Sequence, residues 1–531
     1  VSEPVYDVVV VGGGSAGCVL AGRLAELGSL SVCVIELGAA AERHPEVLRA
    51  DGYKDAFRND ALIWERYSAP QRAVAGRSVF TGTGTGMGGS GSVNGMVYTR
   101  GCAQDYEGWP AGWRWDDVLP HFERLEQVLR PNRRAPTRWT EAVLSSAAHA
   151  GFRLREDLND GDLSGVMGYE WMNYEGEQRR SSYVAYVKER ARDNLTVLTE
   201  ARVRRVRFEG DRAVGVEIER EGVRSLVRAR REVVLCAGAL ESPKLLLLSG
   251  VGPGAHLREH GVQLVHDLPA VGENLHDHPN VPLFFLGRGP VDCHYPQVYG
   301  FDRVNSDLPL RDPAQPDTCY VAWPAVSALR EAMERMLPAL VLPRGLRKHA
   351  GAKAVVRSGV KMLFAPRLTR DVVARVWGVV VILGKPCSRG SLRLGSPDVR
   401  EDAVIDPAWL SDERDLETLR RGVSRARALA LAPGLTAWGN KELSPGWLDR
   451  GPASLDRWIR GNLMTTYHFA GTCRMGEDAG SVVDAALRVR GVRGLRVADA
   501  SVIPETPVSA LNAPSMMIGL RAAELIAGGE A

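Results

Sequence analysis

The sequence predicts an α/β protein (α+β overall) in which a Rossmann-like nucleotide-binding unit is joined to a second domain, an antiparallel sheet covered by helices. Three observations carry this. The first forty residues read as strand, glycine loop, helix, strand and acid. At 531 residues the chain exceeds one average domain, so two domains, interwoven or sequential, are expected. The glycine-rich motifs stop near Pro279, and residues of different character run from there to about Leu455.

The opening unit is the most specific of these. Val5-Tyr6-Asp7-Val8-Val9-Val10-Val11 is a nearly continuous, β-branched apolar run, as a buried strand requires. It leads into Gly12-Gly13-Gly14-Ser15-Ala16-Gly17, the G-x-G-x-x-G pattern. A helix is expected from Ala16 to Leu27 with Gly28 ending it, then a strand from Ser31 to Ile35 ending on Glu36. In this layout Gly12 makes the tight turn, Gly14 lets backbone approach a pyrophosphate, and Gly17 lets helix and strand pack closely. The helix N-terminus favours the phosphate charge, and Glu36 accepts from a ribose hydroxyl. Gly12, Gly14, Ser15, Ala16, Gly17 and Glu36 are therefore candidate cofactor-binding residues. The unit alone does not distinguish FAD from NAD.

Composition narrows the class. Hydrophobic and charged contents of 45% and 25% are ordinary for a globular enzyme, and a formal net charge of +3 gives no reason to expect nucleic acid as a partner. The eight cysteines are scattered without a C-x-x-C pair, so they are expected to be reduced and structural, with no metal site. No signal-like segment or apolar run of about 20 residues is present, so no transmembrane segment is expected and a cytoplasmic protein is.

Further along, residues 44–80 show no clear period; a stretch that long suits a lid over a bound cofactor better than a connector. Thr81 to Gly95 is the most glycine-rich tract and brings bare backbone N–H groups within reach of a ligand. Arg202 to Phe208 alternates like an antiparallel strand with one solvated face. Glu232 to Ala237 reads as a strand turned by Gly238, with Ser242 a helix N-cap and Pro243 the first helical residue. Residues from about 325 to 376 read as a helical insert with eleven Lys/Arg against three acids. A solvated basic face, or peripheral contact with an anionic membrane or a protein, is expected there. Finally, Asn512-Ala513-Pro514 precedes an amphipathic helix from Ser515 to Ala527.

Gly84 through Glu107 resembles the first signature of the glucose–methanol–choline (GMC) flavoprotein oxidoreductases, and Gly238 through Gly252 matches the second. The resemblance extends through Asp105-Tyr106, Val271 to His278, Tyr467-His468, Gly471 to Gly476 and the segment around Asp499 and Asn512, nearest the choline and aliphatic alcohol dehydrogenase branch. It implies FAD as cofactor and a FAD-binding domain (residues 1–155, 196–280 and 461–531) interwoven with a substrate domain (156–195 and 281–460). It adds Met87, Gly88, Asn94, Gly95, Met96, Val97, Val203, Ala237, Asp499, Ala500, Ala513 and Pro514 to the cofactor-binding candidates. The implied reaction is oxidation of an alcohol to an aldehyde or ketone. His468 takes the hydroxyl proton, Asn512 donates to the same oxygen, the hydride passes to flavin N5, and O2 or another acceptor reoxidises the flavin. The alternative is a redox-silent hydroxynitrile lyase-type activity on the same fold; an NAD-dependent dehydrogenase would need neither the second glycine tract nor the C-terminal segment. There are two departures. Many relatives carry Arg-Gly-Lys where this chain has Thr83-Gly84-Thr85, and Asn94 stands where some oxidases attach flavin through histidine, so the FAD is expected to be non-covalent. Neither the particular alcohol nor the oligomeric state is legible.

Overall fold

The computed structural model describes residues 3–446 and 451–528. The chain passes between two sheets. Strand β1 (Val5–Val11) leads through the glycine loop to α1 (Ser15–Leu27) and β2 (Val32–Ile35), which pairs parallel with β1. The chain then leaves to place β3 (Val166–Tyr169) in the second sheet. It returns with β4 (Leu195–Leu198), parallel to β2, and an antiparallel run of β5 (Ala201–Glu209), β6 (Arg212–Arg220) and β7 (Val223–Leu235). After α2 (Gly238–Leu248) it leaves again through β8 (Pro279–Leu286), β9 (Val298–Asp302) and β10 (Thr318–Pro324). Helices α3 (Leu329–Val341), α4 (Ala350–Phe364) and α5 (Arg367–Val373) follow, then β11 (Val376–Leu383). The last segment brings β12 (Leu495–Val497) and α6 (Asn512–Ala527) back to the first sheet.

Among the described residues the first sheet runs β4-β2-β1-β7-β6-β5, with β12 parallel to β7. The second runs from Lys441–Ser444 through β8-β11-β10-β9-β3 to Arg153–Leu154, antiparallel except at that last pair. Val8 to Val11 are buried because β1 is central and covered on both faces, which is why its sequence does not alternate. A Cβ at Gly17 would lie 2.0 Å from the Gly12 carbonyl oxygen, so only glycine lets α1 pack this closely on the loop. Helix α6 crosses α1 as closely: a Cβ at Gly519 would stand 2.4 Å from the Ala16 carbonyl oxygen. The alternation in β5 is present as expected, with Ala201, Val203 and Val206 buried and Arg205 and Arg207 exposed.

Two helix starts differ from the sequence reading. Helix α2 begins at Gly238, not at Ser242–Pro243, and Pro243 lies inside it. Asp499, arriving from the far end of the chain, accepts from the Gly238 N–H and from the Ser242 hydroxyl, whose oxygen in turn accepts the Ala237 N–H at 3.0 Å, so Ser242 acts from inside the helix and is not its N-cap residue. Helix α6 begins at Asn512, three residues before the expected Ser515, with Pro514 in its first turn, where its missing N–H costs nothing. All eight cysteines are free, and all but Cys387 are buried.

Candidate active site

A cavity of about 660 Å³ lies between the two sheets. Its walls fall into three parts. At one end Trp64, Arg66, Arg202 and Val203 surround Glu36. In the middle lie Gly12, Gly14, Ser15, Ala16, Ala237, Asp499, Ala500 and Asn512. At the far end Asn94, Gly95 and Val97 face His278, His468 and an apolar wall that includes Tyr299, Phe301, Val321, Trp323 and Ile382.

The middle part is built to meet an anion. Helix α1 opens on it with no acidic residue in its first turn, so the helix dipole and free N–H groups are unopposed. Asp499 latches this region: its carboxylate accepts from Gly238 N–H (2.8 Å), Ser501 N–H (2.8 Å) and the Ser242 hydroxyl. Asn512 Oδ1 accepts from Ser15 Oγ at 2.7 Å, tying the N-terminus of α6 to that of α1.

Glu36 is buried, and its carboxylate accepts from the N–H groups of Gly13, Gly38 and Gly86, each at 2.9 Å. Burial raises its pKa despite these bonds. The residue thus fastens both glycine tracts together at the cavity wall. The tract that lacks basic side chains of its own is met by Arg66, a buried guanidinium that donates to Thr83 Oγ1 (2.8 Å), stacks on Trp64 and pairs with Glu241 at 3.0 Å.

The far end holds two histidines edge to face, with His468 Nδ1 3.0 Å from His278 Nδ1 and 3.0 Å from Thr466 Oγ1. The Thr466 hydroxyl donates to the His278 carbonyl at 2.7 Å, so its oxygen is the acceptor toward His468. This fixes the tautomer: His468 carries its proton on Nδ1 and keeps a lone pair on Nε2. Burial lowers the His468 pKa to about 4, and drives His278 well below its ordinary value with His468 and His276 adding to it. Both rings are neutral at neutral pH. The His468 backbone is held from below by Asp277, which accepts its N–H at 2.8 Å and the Trp409 indole N–H at 3.2 Å. Burial pushes Asp277 up to about 6. Tyr467 sits before His468 at φ 64°, a left-handed conformation rare for a bulky residue, secured by its N–H to Thr465 Oγ1 (2.7 Å).

Most of the sequence-derived candidates line this cavity: Gly12, Gly14, Ser15, Ala16, Glu36, Asn94, Gly95, Val97, Val203, Ala237, Asp499, Ala500, His468 and Asn512. Gly17, Met87, Gly88, Met96, Ala513 and Pro514 stand behind its walls; Met87 Sδ, for instance, backs Gly13, where a Cβ would lie 2.7 Å away. The structure brings His468 together with His278 and Thr466, and Asn512 together with Ser15; no direct hydrogen bond joins His468 to Asn512. Residues 44–80 form cavity wall through Tyr53, Phe57, Ile63, Trp64 and Arg66.

Sequence reading did not single out His278, Thr466 or Arg179. The first two have a signal in hindsight, a polar residue two positions from a histidine and a histidine inside the quoted Val271–His278 motif. Arg179 has none. It is buried, held by the carbonyls of Gly91 and Asn94 and by Asn94 Oδ1, and burial lowers its pKa to about 9.

A dinucleotide suits this cavity. A Cβ on Gly95 would meet nothing within 4 Å, and one on Gly14 only a single atom at 4.0 Å, so both glycines leave bare backbone facing open space. A metal does not suit the His256, Glu259 and His260 group on the surface. His256 Nε2 accepts the Leu394 N–H at 3.0 Å, which puts its proton on Nδ1, the nitrogen an ion would need.

Known proteins match this arrangement over almost the whole chain. Residues 6–280 and 386–519 match the N- and C-terminal parts of the GMC oxidoreductase family. The chain is 34% identical to an alcohol dehydrogenase [acceptor] of Pseudomonas putida, over 98% of this chain and 95% of that one. It is likewise 34% identical to an oxygen-dependent choline dehydrogenase of Brucella suis biovar 1, with the same coverage. Among solved structures, pyridoxine 4-oxidase from Mesorbium loti superposes with a TM-score of 0.84 at 28% identity, over 99% of this chain and 100% of that one. The chain belongs to the GMC oxidoreductase family and is a FAD-dependent oxidoreductase.

Proposed function

We propose that the protein oxidises an uncharged, largely apolar alcohol to an aldehyde or ketone, with His468 Nε2 taking the hydroxyl proton. The observation that carries this is the tautomer lock: Thr466 and His278 hold the His468 proton on Nδ1, which leaves Nε2 as a lone pair at the cavity wall. A base with a pKa of about 4 is unprotonated throughout the neutral range. A general base positioned this way contributes about 10²- to 10⁴-fold. When bound, FAD supplies the hydride acceptor for the carbon that the deprotonated oxygen activates.

The remaining side chains divide the cofactor among them. The Ser15 end of α1 and the bare Gly12 and Gly14 backbone would receive the pyrophosphate, Trp64, Arg66 and Val203 the adenosine half, and Asn94 to Val97 the ring system. Asparagine cannot form the histidyl–flavin bond, so a flavin beside Asn94 would be held without that linkage. Asn512 contributes its amide N–H₂, which donates to no described residue, while its Oδ1 is committed to Ser15.

The substrate class follows from the far wall. Phe301, Val321, Trp323 and Ile382 are apolar; burial pushes the Glu170 carboxyl beside them well above the ordinary carboxylate range, and Glu331 lines the same cavity from the insert. Such a wall desolvates an alkyl or aryl group. Anaerobic mixing with primary, secondary, aryl and quaternary-ammonium alcohols, followed by admission of air, tests this. Bleaching of the flavin absorbance by apolar alcohols is expected. Bleaching by choline alone, or by none of the panel, overturns the reading. Recovery in air reports whether O2 is the acceptor.

A further inference from the structure

The insert α3–α5 has two unlike faces. On the inner side Arg335, Lys353 and Arg357 all converge on Asp60, at 2.7, 3.0 and 2.7 Å, and Lys353 also reaches Glu65 at 2.9 Å. These cations hold the insert to residues 44–80. Along α4 the inward positions are Lys353, Arg357, Val360 and Phe364, spaced i, i+4, i+7 and i+11. The opposite side of that helix carries uncovered apolar residues. Val355 (75% exposed) and Met362 (74%) lie seven residues apart on the face pointing away from the protein, with Gly359 between them and Leu363 beside them. Leu340 at the end of α3 (62%) and Leu368 in α5 (76%) are also uncovered. Elsewhere in the described residues the large exposed hydrophobics are mostly isolated; here they gather on one short segment.

The charge on that segment has the matching pattern. The insert carries eleven Lys/Arg against three acids, whereas the whole chain has a formal net charge of +3, so the remainder of the protein is net acidic. Three cations are spent on Asp60. Lys361, four residues past Arg357, lines the inner groove with Glu46, Asp55 and Glu334; of the cations near the exposed apolar residues, Arg370 pairs with no described acid and Arg367 meets only the exposed Asp371 at 3.6 Å. Exposed apolar side chains beside exposed cations on short helices are the features that hold a protein in the interface of an anionic bilayer. A second copy of the chain is a poor occupant, because a two-fold contact would set the same cationic surface against itself.

We propose that the outer face of α3–α5 docks on an anionic phospholipid membrane surface, with Val355, Met362, Leu363 and Leu368 entering the headgroup region and Arg367 and Arg370 contacting lipid phosphates. The insert is also part of the cavity wall, through Ala328, Glu331 and Ala332, and Met336 Sδ stands 3.8 Å from Tyr467 Oη, next to His468. Docking therefore places the wall of the cavity beside the bilayer. The inference does not depend on which residue is the base.

The test is co-sedimentation of the FAD-loaded protein with phosphatidylcholine vesicles, with and without about 30 mol % phosphatidylglycerol. Binding is expected with the anionic lipid at low salt, with at least tenfold less on pure phosphatidylcholine and in about 0.5 M salt. The charge variant Arg367→Glu/Arg370→Glu and the apolar variant Val355→Asp/Met362→Asp should each bind at least ~10-fold more weakly, with flavin spectrum, thermal midpoint and solution turnover unchanged. Absence of binding to anionic vesicles at low salt overturns the proposal. So does equal binding to both lipids, or wild-type binding by both variants. Light scattering on the same samples covers the remaining occupant: a dimer that dissociates in Val355→Asp/Met362→Asp, without vesicle binding, assigns the face to a second copy and refutes the membrane.

Discussion

Thr466→Val isolates the tautomer lock from the base itself. Valine has nearly the shape of threonine, so the change removes one hydroxyl and little else. That hydroxyl makes two bonds, 2.7 Å to the His278 carbonyl and 3.0 Å from His468 Nδ1. A hydrogen bond of this kind contributes about 0.5–1.5 kcal/mol net, and about 1.4 kcal/mol is tenfold in a rate. The second acceptor, His278 Nδ1 at 3.0 Å, remains, so the lock is weakened and not abolished. The anaerobic rate constant for flavin reduction should therefore fall about 2- to 10-fold, and further in the double variant with His278→Ala. Stopped-flow absorbance with varied alcohol separates the two ways a mutation can act. A lost positioning interaction lowers the limiting rate constant and leaves the apparent Kd for alcohol in place. If Thr466→Val reduced its flavin at the wild-type rate, or lost only affinity, the proton on His468 Nδ1 would be held by something other than Thr466.

The pH profile of the same half-reaction carries the sign of the His468 shift. The base works unprotonated, so with a pKa near 4 the rate should be level across the neutral range and drop only as pH falls toward 4; an inflection at the ordinary histidine value or above would contradict it. Asp499→Ala should leave Gly238 N–H, Ser501 N–H and the Ser242 hydroxyl without their acceptor, at about 1–3 kcal/mol for each group left buried and unsatisfied. It is expected to purify with reduced FAD content and a lower thermal midpoint, and a variant matching wild type in both would remove Asp499 from the latch.

The parts of this molecule legible in the sequence are those whose physics is local. The β1–loop–α1–β2 unit is one, because strand, turn and helix are each specified within a few residues of themselves. The errors arise where a distant residue takes over a local role. Ser242 has the composition of an N-cap, but Asp499, 257 residues on, claims its hydroxyl, and α2 starts a turn earlier. Asn512 is bound to Ser15, 497 residues away, a pairing no spacing rule reports. His278 reaches His468 across 190 residues because β8 runs beside the Met464–Thr465 strand. The basic insert was visible as composition, yet its division into an inner face salt-bridged to Asp60 and an outer face with exposed cations exists only once residues 44–80 are folded against it.

The account rests on His468 as the base, and the most direct measurement is the anaerobic flavin-reduction rate of His468→Ala with a good alcohol substrate. Bound FAD and the thermal midpoint should match wild type, while reduction slows at least ~10²-fold and loses its fall toward low pH. Reduction at the wild-type rate, with FAD bound, would show that the proton leaves the alcohol by another route.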